Sequence, residues 1–414
     1  MGPGEPFASD IDENEIEQAT LIDQLLPALP ANLNHTSGSE TWACAWSPDG
    51  SYFAWSCGNR MVKLVPWNQY KNTTLATNNL DDKCNVLPER SIVNLDCGGH
   101  VWSLAFGSST AEKKLNSRAK NLNWFRYHNA SDLVLATGLD NGRIRVWNVT
   151  KGSLMLDLLD HNKVVRDLAF APDGSMRLAS VARDGKLKLW DMQDDGNMYK
   201  TLSNVSKWFY SVAWSPDAKM IACTGDCKSV IIWDADTFQL LHKLTGHHHD
   251  VCSCAFTPDG AVLLTASFDT RVIMWDPHTG DTLSEFRHQY PMPSPIFAGG
   301  ANGSYVREVS VCHDGIHIST ICDDSYLRFW DITRPHAPVQ IGTVQQATSC
   351  AFSPDGRVLA VGNKMGVVTF WRSPDQVHNL QHLCRMAFRR HWSSSQLESL
   401  ELPKRILQYL MYRE

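Results

Sequence analysis

Along most of the chain, apolar and polar residues alternate in short runs that break at Pro, Asp and Gly. The stretch from Gly246 to Asp276 shows the pattern at its clearest. An alternating run, Val251 to Phe256, meets the turn Thr257-Pro258-Asp259-Gly260. A second run, Ala261 to Ser267, reaches Asp269, and a third, Arg271 to Met274, closes on Trp275-Asp276. Period-two alternation sends successive side chains to opposite faces of a strand, and Pro-Asp-Gly suits the tight turns of antiparallel pairs. A fourth run, Thr282 to Phe286, follows. The unit therefore predicts a four-stranded antiparallel sheet.

The same unit recurs. Strand-ending tryptophans fall at Trp67, Trp147, Trp190, Trp233, Trp275, Trp330 and Trp371, at intervals of 41 to 43 residues apart from two longer gaps. The Pro-Asp turn returns at Pro48-Asp49, Pro172-Asp173, Pro216-Asp217, Pro258-Asp259 and Pro354-Asp355; the sixth unit has His313-Asp314, and an insertion replaces the turn of the second. A large residue precedes the turn region in every unit, at Trp46, Phe106, Phe170, Trp214, Phe256, Val311 and Phe352. Seven units are the count this supports. Three segments interrupt the period, 68–90, 107–131 and 287–305. Long loops on a regular scaffold are where recognition concentrates.

These units resemble WD40 repeats, and the resemblance implies an all-β fold, a seven-bladed propeller over residues 41–375. A single blade leaves both faces open; a ring covers each blade with two neighbours. In such repeats a His, a strand hydroxyl, a turn Asp and the Trp form a buried hydrogen-bond chain, and the resemblance assigns those roles to His247, Ser267, Asp269 and Trp275. The other units depart from the set: Asp184 and Asp324 keep the turn acid, and Asn141, Cys227 and Met365 replace it. Residues 1–40 form a polar tail apart from Thr20 to Pro27, which predicts either a short helix or an outer strand that closes the ring against blade seven. Turns between second and third strands would place Asp140, Arg183, Asp226, Phe268, Asp323 and Lys364 around the channel mouth, as contacts to a target protein or as ordinary solvated turn residues.

Composition narrows the function. A net charge of −6 and the lack of a basic stripe give no electrostatic footprint for nucleic acid. The acidic start, MGPGEPFASDIDENE, is not a secretory signal, and no apolar run approaches a membrane span. The expected location is cytoplasmic or nuclear, with the twelve cysteines reduced and buried. His247-His248-His249 has no acid or Cys at ligand spacing, so no metal is expected, and no cofactor. No phosphate loop, nucleophile elbow or HExxH occurs. A non-catalytic role follows.

After Trp371 the period stops. Leu380, Leu383, Cys384, Ala387 and Phe388 fall at i, i+3, i+4, i+7 and i+8, one apolar face of a helix over 379–391. A second short helix spans 395–400, and Pro403 suits the first turn of a third that carries Ile406, Leu407 and Leu410. So small a core needs support from a partner or from blade seven. Residues 376–414 resemble a SOCS box. The resemblance implies that Leu380, Leu383, Cys384 and Phe388 bind Elongin C, and that Leu400, Leu402, Pro403, Ile406, Tyr409 and Leu410 contact a cullin. Glu401 stands where the Cullin 5 motif usually has Pro, which leaves the choice of cullin open. A propeller followed by a SOCS box resembles the WD repeat and SOCS box-containing proteins, with VWSLAFGSS at 101–109 and NLQHLCRMAFRR at 379–390 among the matching stretches. That family implies a substrate receptor of an Elongin B/C, Cullin 5 and RING ubiquitin ligase. The alternative is a WD40 scaffold in a signalling or RNA-processing complex, with the apolar helix face packed on the propeller.

Overall fold

The computed structural model describes residues 16–26, 40–58, 60–67, 92–109, 133–203, 206–288, 305–374, 380–392, 394–400 and 402–413. The three insertions lie almost wholly outside these residues.

Seven separate sheets form, and within each of the first five the strands follow chain order from inside to outside. Blade five shows the rule: Val251–Phe256, Leu263–Ser267, Arg271–Trp275 and Thr282–Arg287 pair antiparallel in sequence. First strands of consecutive blades touch all the way round, and blade seven's meets blade one's, so the ring is closed. The chain's amino end makes the closure. Leu21–Leu25 pairs antiparallel with Val368–Arg372 as the outer strand of blade seven, and Glu17–Gln18 adds a parallel edge to blade six at Gln340 and Ile341. Within the Thr20–Pro27 patch, Leu21–Leu25 is therefore a strand and not a helix.

One apolar cluster fills each interface between neighbouring blades. Strand alternation supplies both faces, so each blade gives one face to each neighbour. The interface between blades one and seven is rich in rings, with Trp46, Phe53, Trp55, Trp67 and Phe370 together. Trp46 and Trp67 meet edge to face at 4.5 Å, a geometry that adds about 0.5–1.5 kcal/mol beyond area burial.

The buried polar chain of blade five runs in one direction. Trp275 Nε1 donates to Thr265 Oγ1 at 2.8 Å, His247 Nε2 lies 2.8 Å from the same hydroxyl, and His247 Nδ1 lies 2.9 Å from Asp269. Thr265 Oγ1 thus bridges the indole and the imidazole, and the second ring nitrogen of His247 faces the Asp269 carboxylate, so each member has a partner. Here the sequence-based assignment is corrected: Thr265, not Ser267, is the bridging hydroxyl. Both residues face the same side, but Ser267 sits at the strand end, where its hydroxyl donates to the Asp250 carbonyl at 2.8 Å and accepts Asp269 N–H at 3.1 Å. The indole reaches the hydroxyl ten positions earlier, and the same separation joins Trp190 to Ser180 and Trp330 to Thr320.

A second correction concerns blade three, which carries a full set: His161 Nδ1 to Asp184 at 2.9 Å, His161 Nε2 to Ser180 at 2.8 Å, and Trp190 to Ser180 at 2.8 Å. Blade six keeps His288, Thr320 and Trp330, but Asp324 turns away to pair with Arg328 at 2.6 Å. Burial, with Arg328 nearby, pushes the His288 imidazole down to about 3, so it stays neutral.

Thr265→Val keeps the shape but leaves Trp275 Nε1 and His247 Nε2 without their shared partner. A loss of about 1–3 kcal/mol is expected in urea unfolding, against a smaller loss for Ser267→Ala. Burial raises the Asp269 and Asp184 carboxyls, but the His hydrogen bonds and charges outweigh it and hold both below 3.8. Their contribution is thus complete above the ordinary carboxylate pKa and is lost as pH falls through the lower folded-state values. The double variant Asp184→Asn, Asp269→Asn is expected to flatten the acid limb of stability against pH below about 4.

Candidate functional site

Three helices follow the ring: α1, Leu380–Arg389; α2, Ser394–Glu398; and α3, Lys404–Leu410. An amphipathic surface helix normally turns its apolar stripe to the core. Helix α1 does the reverse. His382, Arg385, Met386 and Arg389 are buried, whereas Leu380 is 75% exposed, Leu383 50% and Phe388 45%, and Cys384 is exposed. The polar face docks on the turns of blades five and six, and the apolar face looks outward.

That docking uses the acids of the repeated turns. Asp259 gives one oxygen to its own turn, accepting Thr257 Oγ1 at 2.6 Å and Ala261 N–H at 3.1 Å, and its other oxygen accepts the Tyr412 hydroxyl at 2.9 Å. Asp276 divides its oxygens likewise, between His278 N–H at 2.9 Å and Ser394 Oγ at 2.6 Å. Arg389 donates to Ser394 Oγ at 3.0 Å; burial pulls its guanidinium down, and Asp259 and Asp276 oppose that. His382 Nε2 meets the Asp314 carbonyl at 2.8 Å. Beside it Met386 packs on Gly315, where an added Cβ would come within 2.8 Å of the Met386 side chain. Gly315 also has a φ of +70°, so it is fixed twice over. Arg385 is stacked between Tyr409 at 3.6 Å and Tyr412 at 4.4 Å, and Tyr412 completes the apolar cluster between blades five and six. Burial pushes the Tyr412 phenol well above its ordinary value, so it stays a donor.

Between α1 and α3 lies an open apolar cleft of about 610 Å³, lined by Leu380, Cys384, Phe388, Leu402, Ile406 and Tyr409 among others. The structure thus brings most of both predicted groups into one groove. Leu383 stands apart, beside His313, Asp314 and Asp355 of the propeller turns. Leu410 is buried, Leu400 is half-buried and Pro403 is exposed. Leu397, not singled out from the sequence, is fully buried.

The second-to-third-strand turns emerge on the opposite face of the ring. Asp226 is engaged within its turn region, accepting Ser206 Oγ at 2.5 Å and the Lys207 and Trp208 N–H groups at 3.0 and 3.2 Å. Asp323 holds Arg307 through two bonds, at 2.7 and 2.5 Å. Phe268 packs on Tyr305 at 5.3 Å and under Arg307 at 5.2 Å. Arg183 lies 6.0 Å from the rings of both Trp102 and Trp208. Asp140 is exposed and Lys364 half-buried. These six are distributed round the mouth and do not converge on one site.

A family profile described as SOCS box matches residues 376–411, and one described as WD domain, G-beta repeat matches 30–65, 152–191, 196–234 and 238–276. The chain is similar to WD repeat and SOCS box-containing protein 1 of Homo sapiens, 49% identical over 98% of this chain and 99% of the relative. The proteins of that name from Xenopus tropicalis and Danio rerio are each 47% identical over the same shares. The chain belongs to the WD repeat and SOCS box-containing protein family. Among the described residues no helix is long and apolar enough to cross a membrane.

The helical spacing predicts the SOCS box helix and leaves its support open between a partner and blade seven; within the chain, the turns of blades five and six hold it through polar contacts. The signal was present in His382, Arg385 and Arg389, which share a face at i, i+3 and i+7. Arg389→Ala removes the link to Ser394 and leaves Asp276 and Asp259 facing a gap. Hydrogen exchange of α1 and α3 amides is expected to accelerate about tenfold or more, as for loss of a charged hydrogen bond worth about 1.5–3 kcal/mol, with the blade strands unchanged.

Proposed function

We propose that the chain is a substrate-recognition subunit of an Elongin B/C, Cullin 5 and RING ubiquitin ligase, in which the propeller holds the target and the SOCS box docks Elongin C and the cullin. The observation that carries this reading is the outward apolar cleft between α1 and α3. Leu380 and Cys384 line it from α1, at the positions the SOCS box pattern gives to Elongin C contacts. A monomer gains nothing from exposing Leu380, Phe388 and Ile406 in one patch; a partner that covers them gains their burial. The scaffold alternative asks for the apolar face to lie against the ring, and α1 has the opposite orientation.

The role needs no chemistry from this chain. Pro374 and Leu380 are joined by residues 375–379 alone, and α1 is clamped to the ring by His382, Arg389 and Met386. A target held by the propeller would then keep a fixed relation to the ligase, which raises the effective concentration of its lysines at the ubiquitin carrier. Cytoplasmic or nuclear residence belongs to the same reading.

Burying a Leu side chain contributes about 1.5–3 kcal/mol. Leu380→Ala with Cys384→Ala is expected to weaken capture of purified Elongin B/C by about tenfold or more, while thermal unfolding of the propeller stays unchanged. Undiminished capture would reject the assignment. Leu402→Ala with Pro403→Ala is expected to reduce Cullin 5 recruitment while Elongin B/C capture is retained.

A further inference from the structure

The mouth opposite the SOCS box carries a side-chain set that the turn residues alone do not reveal. In blades two to seven the first strand has a bulge directly after its opening residue, so that one residue drops out of the pairing with the second strand: Trp102, Arg166, Tyr210, Cys252, Arg307 and Thr348. A bulge re-aims a side chain out of the ladder, and here it happens at the same level in each of these six blades. Over blades two to four the result is a guanidinium group set between two rings. Arg166 lies 4.6 Å from the Trp102 ring and 5.7 Å from that of Tyr210, and Arg183 shares Trp102 from the neighbouring turn.

Asp140 of this face is exposed, and the acids nearer the two arginines are already engaged. Asp323 is held by Arg307, and Asp226 by Ser206 and two backbone N–H groups. Asp167 accepts Ser211 Oγ at 2.7 Å and Val212 N–H at 2.9 Å inside the channel wall, and Asp250 faces the Tyr210 hydroxyl at 3.4 Å. Among the described residues neither Arg166 nor Arg183 makes an ion pair or a hydrogen bond, and the Nε–H of each is buried without an acceptor. Burial, with Arg183 beside it, pushes the Arg166 guanidinium down to about 10. Two like charges share one tryptophan in a chain whose net charge is −6. Asp167 attracts Arg166 but gives its oxygens to Ser211 and Val212, so the half-buried guanidinium has no hydrogen-bonded acid, and an incoming anion would supply one.

Resting on the reading of the propeller as target receptor, we propose that Arg166 and Arg183 form an oxyanion pocket that reads an acidic side chain of a target peptide, a carboxylate or a phosphate, with Trp102, Trp208 and Tyr210 packing its flanks. The guanidinium fork matches either group through paired N–H donors, and the rings hold that fork in place while giving the neighbouring target residues an apolar surface.

The test uses the full chain and fluorescent short peptide pools that share one fixed central residue, glutamate, phosphoserine, glutamine or serine, with randomised flanks. Anisotropy titration is expected to show the glutamate or phosphoserine pool binding about tenfold or more tighter than the neutral pools, the size of a charge-assisted contact. Arg166→Gln and Arg183→Gln each remove that preference, and Arg166→Lys, which keeps the charge and guards against a folding artefact, restores part of it. A preference confined to phosphoserine names a modified target, and one shared with glutamate names any acidic one; both support the pocket. Equal binding of charged and neutral pools, or an anion preference that survives both glutamine substitutions, overturns it. If the neutral pools bind and are lost in Trp208→Ala, only the oxyanion pocket falls. If no mouth substitution affects any pool, the receptor reading of this face falls with it, independently of Elongin capture.

Discussion

A four-stranded blade has two apolar faces, and only a closed ring covers both. Every other feature depends on that closure, because the interface clusters, the positions of the turns and the floor on which the SOCS box rests exist only when blade seven meets blade one. Closure rests on Leu21–Leu25 against Val368–Arg372, together with the aromatic cluster of Trp46, Trp67 and Phe370. The strand that locks the ring comes from the opposite end of the propeller sequence to its partner, so local contacts cannot complete the fold. Its backbone ladder substitutes for the fourth strand that blade seven lacks.

With the ring closed, its repeated turns become a surface with two uses. A turn acid needs one oxygen to hold its own backbone, and in Asp259 and Asp276 the other oxygen is turned to Tyr412 and Ser394. Asp49 and Asp217 have the same local turn chemistry without a SOCS box above them. The anchoring face of α1 is polar because the floor beneath it is acidic, and the apolar stripe is thereby left facing outward. Stability of the docked helix and availability of its greasy side are supplied by different residues.

The fold was legible because alternation, Pro-Asp turns and the periodic Trp each reflect local backbone physics. The helical spacing of Leu380, Cys384 and Phe388 was legible for the same reason. What lay beyond the sequence was three-dimensional. Ser267 and Thr265 share a face, and only strand register decides which of them the Trp275 indole reaches. Blade three hides its set because His161 follows Asp160 where blade five has Gly246, although its separation from Asp184 is close to that between His247 and Asp269. Proximity in sequence points only to blade seven as a support for α1 within the chain, whereas the acids that attract Arg389 lie more than a hundred residues earlier. The bulged positions Trp102, Arg166 and Tyr210 carry no turn signature, and their convergence on the mouth follows from register shifts that alternation does not reveal.

The SOCS box and the bulge-lined mouth occupy opposite faces of the ring. A strand of about six residues spans roughly 20 Å, so at least one blade's depth separates a peptide gripped at the mouth from the cleft on the far side. Under the proposed ligase role, the gripped segment and the modified lysine would belong to different parts of the client. Clients with a long tether or a second domain that can swing around the rim would be served, and a short compact one that fits wholly inside the mouth would be held but not marked.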